Sequence, residues 1–372
     1  MIAPADGRKL AIGPANYAGQ AFQWATAVER HLGISAESFT NRTTLLPHSN
    51  VRGLDFPAHR TLPHHRTTTS WGRLRRIRRL LNDVTHLAAD GFLPLFGRLD
   101  GSHIGADLVR LRTLELDVAL IAHGSDVRDP DAHMARYSSS YFQDAPEDWV
   151  EFMRSRSRLN RDTARDAGVP VFVSTPDLLL DLPAARWLPL VVDLAAWTSS
   201  HPAFSGGVPR VMHVPSRRVP PIKGTAYVDP VLRKLHASGK IVYLRPAVQP
   251  HVAMRTLVRQ ADIIVDQIQT GSYGVAAVEG MAAGRLVVGY LGAEVNALLP
   301  ERPPIVDAEP AVFADVMTTI LANVESYSEW ANSGPAYAER WHSGLASAQA
   351  LNQFLGPWHS GQGRERTSTD DS

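Results

Sequence analysis

One carboxylate stands in a run of Gly, Ala, Val and Met: Glu279, in GSYGVAAVEGMAAG, residues 271–284. An ionised group in so apolar a segment must be paired, or must face something that is not protein. The run follows the short apolar stretch Ile263–Val265 and Asp266. Gly271, Ser272, Tyr273 and Gly274 then lead into a helix expected from Val275. Glycines after a strand let a ligand approach the backbone, and the N–H groups at a helix start suit phosphate. Glu279 lies about one turn into that helix, and helical side chains lean toward the N-terminus, so its carboxylate reaches the same cleft. Next to a phosphate it would be repelled; sugar hydroxyls are the better partner. The competing reading is a buried structural ion pair.

A second group of residues lies in HVPSRRVPPIKGT, residues 213–225, between an apolar run and a helical one. Arg217 or Arg218, together with Lys223, would neutralise a diphosphate through side chains, with no metal required. A third is His123-Gly124-Ser125-Asp126, directly after the strand VALIA. The carboxyl edge of an open α/β sheet is a ligand position, so His123 can face a ligand there or cap backbone groups of the loop. Asp126 serves equally well as a turn cap. Asn16 and Gly19 open the first helix, where a capped helix and a ligand-facing turn fit about evenly.

These residues need elements that bring them to one edge. Short apolar runs alternate with helical periodicity throughout. Strands are expected at Lys9–Gly13, Ala36–Phe39, Val84–Leu87, Val118–Ala122 and Val171–Val173, then at Val211–Val214, Ile241–Leu244, Ile263–Val265, Leu286–Tyr290 and Ile305–Val306. Helices are expected between them, including one capped by Asp229 with Pro230 at its first position, and one long helix over Asn332–Phe354. Two such series predict an α/β chain of two Rossmann-like, doubly wound domains facing a cleft. The expected bounds are 1–195 and 196–340, then a closing helix at 341–356 and a disordered tail at 357–372. Residues 41–70 show no period and read as a long loop.

Composition narrows the classes further. The 372 residues are 44% hydrophobic and 20% charged, with a formal net charge of +1, so the whole molecule has no pull toward polyanions. There is no cysteine. That excludes disulfides, thiolate metal sites and cysteine nucleophiles, and suits a reducing, cytoplasmic setting. No zinc, Walker or Ser-His-Asp motif emerges. Seven arginines and no acid fall in 56–82. Without any binding-module signature they do not argue for nucleic acid. Trp71–Leu81 reads as a basic amphipathic helix, a solvated face or a peripheral contact with the inner face of a membrane.

The stretch 271–284 resembles the signature of GT-B glycosyltransferases, in particular the large retaining, family 4-like group with an E-x7-E motif. Tyr273, Gly274, Glu279, Met281, Ala282 and Gly284 match the pattern. The resemblance implies that Glu279 holds the donor's ribose and that the turn from Gly271 through Ser272, Tyr273, Gly274 and Val275 brings backbone amides to the donor. It implies that Lys223 and an Arg at 217 or 218 grip the donor diphosphate, that His123 faces the transferred sugar, and that the turn at Gly19 approaches across the cleft. One position departs: the first Glu of the motif, which contacts the donor sugar in that group, falls at Gly271. The expectation is a metal-independent, retaining glycosyltransferase without a cofactor. It would move a sugar from a nucleoside-diphosphate sugar to a hydroxyl of a glycan, lipid or small molecule. A non-catalytic nucleotide-sugar-binding subunit and a nucleotide-sugar epimerase on the same fold are the alternatives.

Overall fold

The structure is a computed structural model that describes residues 7–41, 56–62, 70–97, 102–215, 222–246 and 250–356. The first sheet holds β1 (Lys9–Gly13), β2 (Ser35–Asn41), β3 (Arg60–Leu62), β4 (His86–Asp90), β5 (Asp117–Ala122), β6 (Val171–Val173) and β7 (Arg186–Trp187), in the order β3-β2-β1-β4-β5-β6-β7. The second holds β8 (Arg210–His213), β9 (Val242–Leu244), β10 (Ile263–Val265), β11 (Leu286–Gly289) and β12 (Ile305–Asp307), in the order β12-β11-β10-β8-β9. All the pairings are parallel. Parallel sheets are covered on both faces, which is why the central strands are continuous apolar runs and not alternating ones. The chain is α/β, as its alternating pattern predicts.

Helices α1 (Gln20–Leu32), α2 (Ser70–Leu81), α3 (Ile104–Arg112), α4 (Pro130–Arg136) and α5 (Glu147–Asp166) accompany the first sheet; the short α6 (Leu194–Trp197) follows it. Helices α7 (Thr225–Ala237), α8 (His251–Gln260), α9 (Val275–Ala282), α10 (Ala293–Leu298) and α11 (Phe313–Ala322) accompany the second. The chain closes with α12 (Val324–His342), packed on α9, and α13 (Leu345–Leu355), which returns to α1. Each sheet has one switch point where the strand order reverses, between β1 and β4 and between β8 and β10. Ligand crevices of open α/β sheets form there.

Four expectations need correction. Residues 41–70, expected as a long loop, contain the strand β3 at Arg60–Leu62, paired with β2. The helix assigned to Asp229 begins a turn earlier, at Thr225, with Gly224 in the left-handed region (φ 72°) before it and Pro230 inside. Asp229 caps nothing; it accepts from the Tyr243 hydroxyl at 2.6 Å and pairs with Arg245 at 2.9 Å. The single terminal helix is two, broken at Gly344 (φ 107°). Helix α2 is amphipathic as read, but Leu74, Ile77, Leu80 and Leu81 are spent in the core, and Arg73 turns inward to Asn41 Oδ1 at 2.9 Å. What α2 leaves outside is basic, with Trp71 72% exposed. No helix among the described residues is long and apolar enough to cross a membrane. The expected tail, 357–372, lies outside the described residues.

The segment after β5 docks on the second sheet. His133 Nε2 donates to the Thr270 carbonyl at 3.1 Å, and Gln269 Nε2 donates to Asp144 Oδ2 at 2.7 Å and to the Ser139 carbonyl at 3.2 Å. Arg136 pairs with Glu294 at 2.7 Å. Two further histidines are cross-links of the same kind. His213 Nδ1 donates to the Val265 carbonyl, and His342 Nδ1 donates to the Leu190 carbonyl. In each ring the second nitrogen faces a hydroxyl, of Ser140, Thr225 and Tyr273 respectively, so the neutral form satisfies both sides.

Burial holds the pKa of His133 at about 3, and of His213 and His342 at about 4. In the unfolded chain each charges near 6.5. A depressed folded pKa contributes stability above that value, and the contribution is lost as pH falls. Between pH 7 and pH 5 each of the three should cost on the order of 2 kcal/mol. The thermal midpoint is expected to drop steeply over that window; a flat midpoint there would contradict the neutral cross-links.

Candidate functional site

At the second switch point a buried carboxylate organises two loops. Asp266 follows β10 directly and is 1% exposed. Its Oδ2 accepts from Gly274 N–H at 3.0 Å, at the start of α9, and its Oδ1 lies 3.0 Å from Lys223 Nζ. Lys223 stands at the mouth of α7, in a turn pressed against the loop after β10. A Cβ at Gly224 would come within 2.5 Å of Ile268 Cγ1, and Thr270 Oγ1 donates to the Ile222 carbonyl at 3.2 Å. The helix α9 presents its first turn beside this ammonium, with N–H groups that have no intrahelical acceptor.

Glu279 projects from the second turn of α9 and is buried. Burial raises its pKa, against the opposing pull of His251 and Lys223. Its Oε1 lies 2.6 Å from His251 Nε2, at the start of α8. The ion-pair reading therefore has a partner, but one that retains 26% side-chain exposure and so leaves the carboxylate close to solvent. Tyr273 turns its ring away from this site: its hydroxyl sits 3.3 Å from both the Tyr337 hydroxyl and His342 Nε2 in the core, so only its backbone is left for a ligand. Ser272 is buried, its carbonyl accepting from Gln267 Nε2 at 2.9 Å. Val275 opens α9 half-buried. Arg217 and Arg218 lie outside the described residues.

Gly271 explains its own identity. Its φ of 67° is one that L side chains rarely adopt, and a Cβ there would lie 2.3 Å from Tyr137 Cζ. The ring of Tyr137, arriving from the end of α4, occupies the space into which a longer residue would grow.

At the first switch point the same device recurs. Asp90, at the end of β4 and fully buried, accepts from the N–H groups of Ala15 at 2.6 Å and Asn16 at 2.8 Å, in the loop after β1. His123 Nε2 lies 3.3 Å from Asp90 Oδ2; the imidazole stacks on Trp24 and meets the edge of Tyr17. Asp126 is a turn cap: its carboxylate accepts from the N–H groups of His123 and Gly124. The Asn16 side chain is also spent locally, on Phe22 N–H and the Pro57 carbonyl. Gly19 (φ 74°) keeps room for Phe56, whose ring a Cβ would approach to 3.0 Å. Phe56 then reaches across to His251, with ring centroids 4.6 Å apart. A continuous line of contacts thus runs from Gly19 through Phe56 and His251 to Glu279.

The structure brings Lys223, Gly274, Val275 and Glu279 to one mouth, and His123, Asn16 and Asp126 to another. Asp90, His251, Phe56 and Tyr137 were not found from sequence. Asp90 alone carried a signal, since HLAAD ends in a polar residue just as VALIAH and IIVD do.

No protein-family model and no curated protein matches the chain. Solved structures do. Sucrose-phosphate synthase from Thermosynechococcus elongatus aligns over 93% of this chain and 98% of its own, with a TM-score of 0.56 at 14% identity. A glycosyltransferase from Rickettsia africae aligns over 94% and 98%, with a TM-score of 0.55 at 12% identity. Anabaena HepE, in complex with UDP and glucose, aligns over 94% and 99%, with a TM-score of 0.56 at 13% identity. At these identities the likeness is one of fold: this chain shares the two-sheet α/β architecture of those three proteins.

Proposed function

We propose that the chain is a glycosyltransferase that moves a sugar from a nucleoside-diphosphate sugar to an acceptor hydroxyl, with retention of configuration and no metal requirement. The observation that carries this reading is the mouth of the second sheet, where an ammonium, a free helix start and a buried carboxylate converge at a topological switch point. Lys223 has three N–H donors and Asp266 occupies one direction, so the ammonium is held ready and can still take a diphosphate oxygen. The α9 start supplies further N–H groups. Glu279 exchanges His251 for the ribose hydroxyls. Arg217 or Arg218 would complete the cation set. His123, fixed by Asp90, faces the sugar from the first sheet, and the acceptor lies on that side.

The fold likeness supports the same reading, since HepE is seen with UDP and glucose, and with UDP-glucose. The alternative of a nucleotide-sugar-binding subunit without turnover is kept by one feature, Gly271 with Tyr137 against it. A peripheral contact with an anionic membrane belongs to the proposal too, because the exposed face of α2 carries Arg75, Arg76, Arg78, Arg79 and Trp71.

Thermal shift with UDP, GDP, dTDP and ADP should single out one stabilising diphosphate. Glu279→Ala and Lys223→Ala are each expected to weaken it at least about tenfold, the scale of one charge-assisted contact. Unchanged binding in both variants would refute the site. With the matching nucleotide sugar, slow release of free sugar and diphosphate is expected; binding without any turnover, even with acceptor extracts, leaves the subunit reading standing in its place. Separately, the protein should co-sediment with phosphatidylglycerol vesicles in a salt-sensitive way and not with phosphatidylcholine vesicles; equal recovery with both would exclude charge-driven contact.

A further inference from the structure

Tyr137 ends α4, on the first-sheet side, yet its ring lies in a slot of the second. Two glycines meet the hydroxyl end of the ring: a Cβ at Gly271 would lie 2.3 Å from its Cζ, and a Cβ at Gly292 would lie 2.6 Å from its hydroxyl. The loop is tied across the slot by Gly292 N–H donating to the Gly271 carbonyl at 3.1 Å. Tyr290 packs edge-on at 5.6 Å between centroids, His133 at 4.8 Å, and Arg136 lies over the ring at 5.8 Å. The residue is 4% exposed. Its hydroxyl is buried and has no hydrogen-bond partner among the described residues.

That last fact is the informative one. A buried hydroxyl without a partner costs about 1–3 kcal/mol, and Phe would fill the same slot without the cost. Two glycines are given up to admit the phenol, and one of them is the position where the E-x7-E pattern has its sugar-contacting carboxylate. A buried polar atom left unpaired at such a place calls for a partner, which an ordered water or a ligand hydroxyl would each supply.

We propose that Tyr137 supplies, from across the cleft, the hydroxyl that recognises the donor sugar, in place of the carboxylate missing at residue 271. The inference rests on the proposed donor site. Burial raises the phenol's pKa, so it meets the sugar as a neutral donor and acceptor, not as a charge. The ring fills the slot and its hydroxyl is covered, so the loop tied by Gly292 and Gly271 must part from it before a sugar reaches it, which makes Tyr137 a determinant of which sugar fits.

The test compares UDP, GDP, dTDP and ADP with their glucose conjugates by calorimetry, on wild type and Tyr137→Phe. The diphosphate that binds wild type is expected to bind the variant equally well. Its glucose conjugate is expected to bind the variant about five- to tenfold more weakly, the loss of one hydrogen bond. The melting midpoint of Tyr137→Phe should equal or exceed that of wild type, since an unpaired group has gone. Tyr137→Ala, which empties the slot, should also spare the diphosphate and weaken the conjugate. Equal conjugate affinity in wild type and Tyr137→Phe, or equal weakening of conjugate and diphosphate, overturns the role of Tyr137 and leaves the donor site intact. Failure of every diphosphate to bind wild type sinks the donor site itself.

Discussion

The pairing of Asp266 with Lys223 and with the start of α9 is the constraint on which the second half of the molecule depends. A carboxylate this buried is tolerable only when it is paired, here by the Lys223 ammonium and the Gly274 N–H. Its two partners come from different loops, so the loop after β8 and the loop after β10 are obliged to meet over the switch point. Helices α7 and α9 consequently open at the same mouth. In the first sheet Asp90 does the corresponding work, gathering N–H groups from the loop after β1 and the imidazole of His123 from the loop after β5. Each crevice is thus organised by one carboxylate at the carboxyl end of a central strand. The strand order fixes where the crevice lies, and the carboxylate fixes which groups face it.

Glu279 belongs to this scheme in a different way. Asp266 and Asp90 are structural anchors whose partners are largely internal. Among the described residues Glu279 pairs with His251, whose ring packs against Phe56 and Trp197. Under the proposed function, the ion pair with His251 and the ribose contact are alternatives for one carboxylate.

The legible parts of the sequence were those in which local and tertiary demands coincide. Lys9–Gly13 and Ile263–Val265 are strands at the residues expected, because a fully covered parallel strand must be apolar throughout. Glu279 stood out because a charge has no place in an apolar helix unless it has a use. The misreadings arose where tertiary contacts outweighed local signals. Asp229-Pro230 is a good helix start in isolation, yet the Lys223–Gly224 turn, tied to Asp266 and Ile268, begins α7 earlier. Helix α4 did have a local signal, the Asp129 cap with Pro130 at its first position, but its contacts with Thr270 and Glu294 are announced by no local pattern. His251 and Tyr137 were invisible for the same reason, since each acquires its meaning from a residue more than twenty positions away.

The placement of α4 has a mechanical consequence. The same short segment carries Tyr137 into the slot beside Gly271 and ties the neighbouring Thr270 to His133. Gln269, one residue earlier, is tied to Asp144 and Ser139. The loop that leads into α9 is therefore gripped from the first-sheet side at three successive residues. Any displacement of one half against the other must move that loop, and with it the N–H groups at the helix start. Conversely, a ligand that orders the loop stabilises the docked arrangement, because binding and docking draw on the same backbone. A Glu at 271 would have severed this link by expelling the ring. Glycine at that position is the residue that allows the two halves to grip one loop.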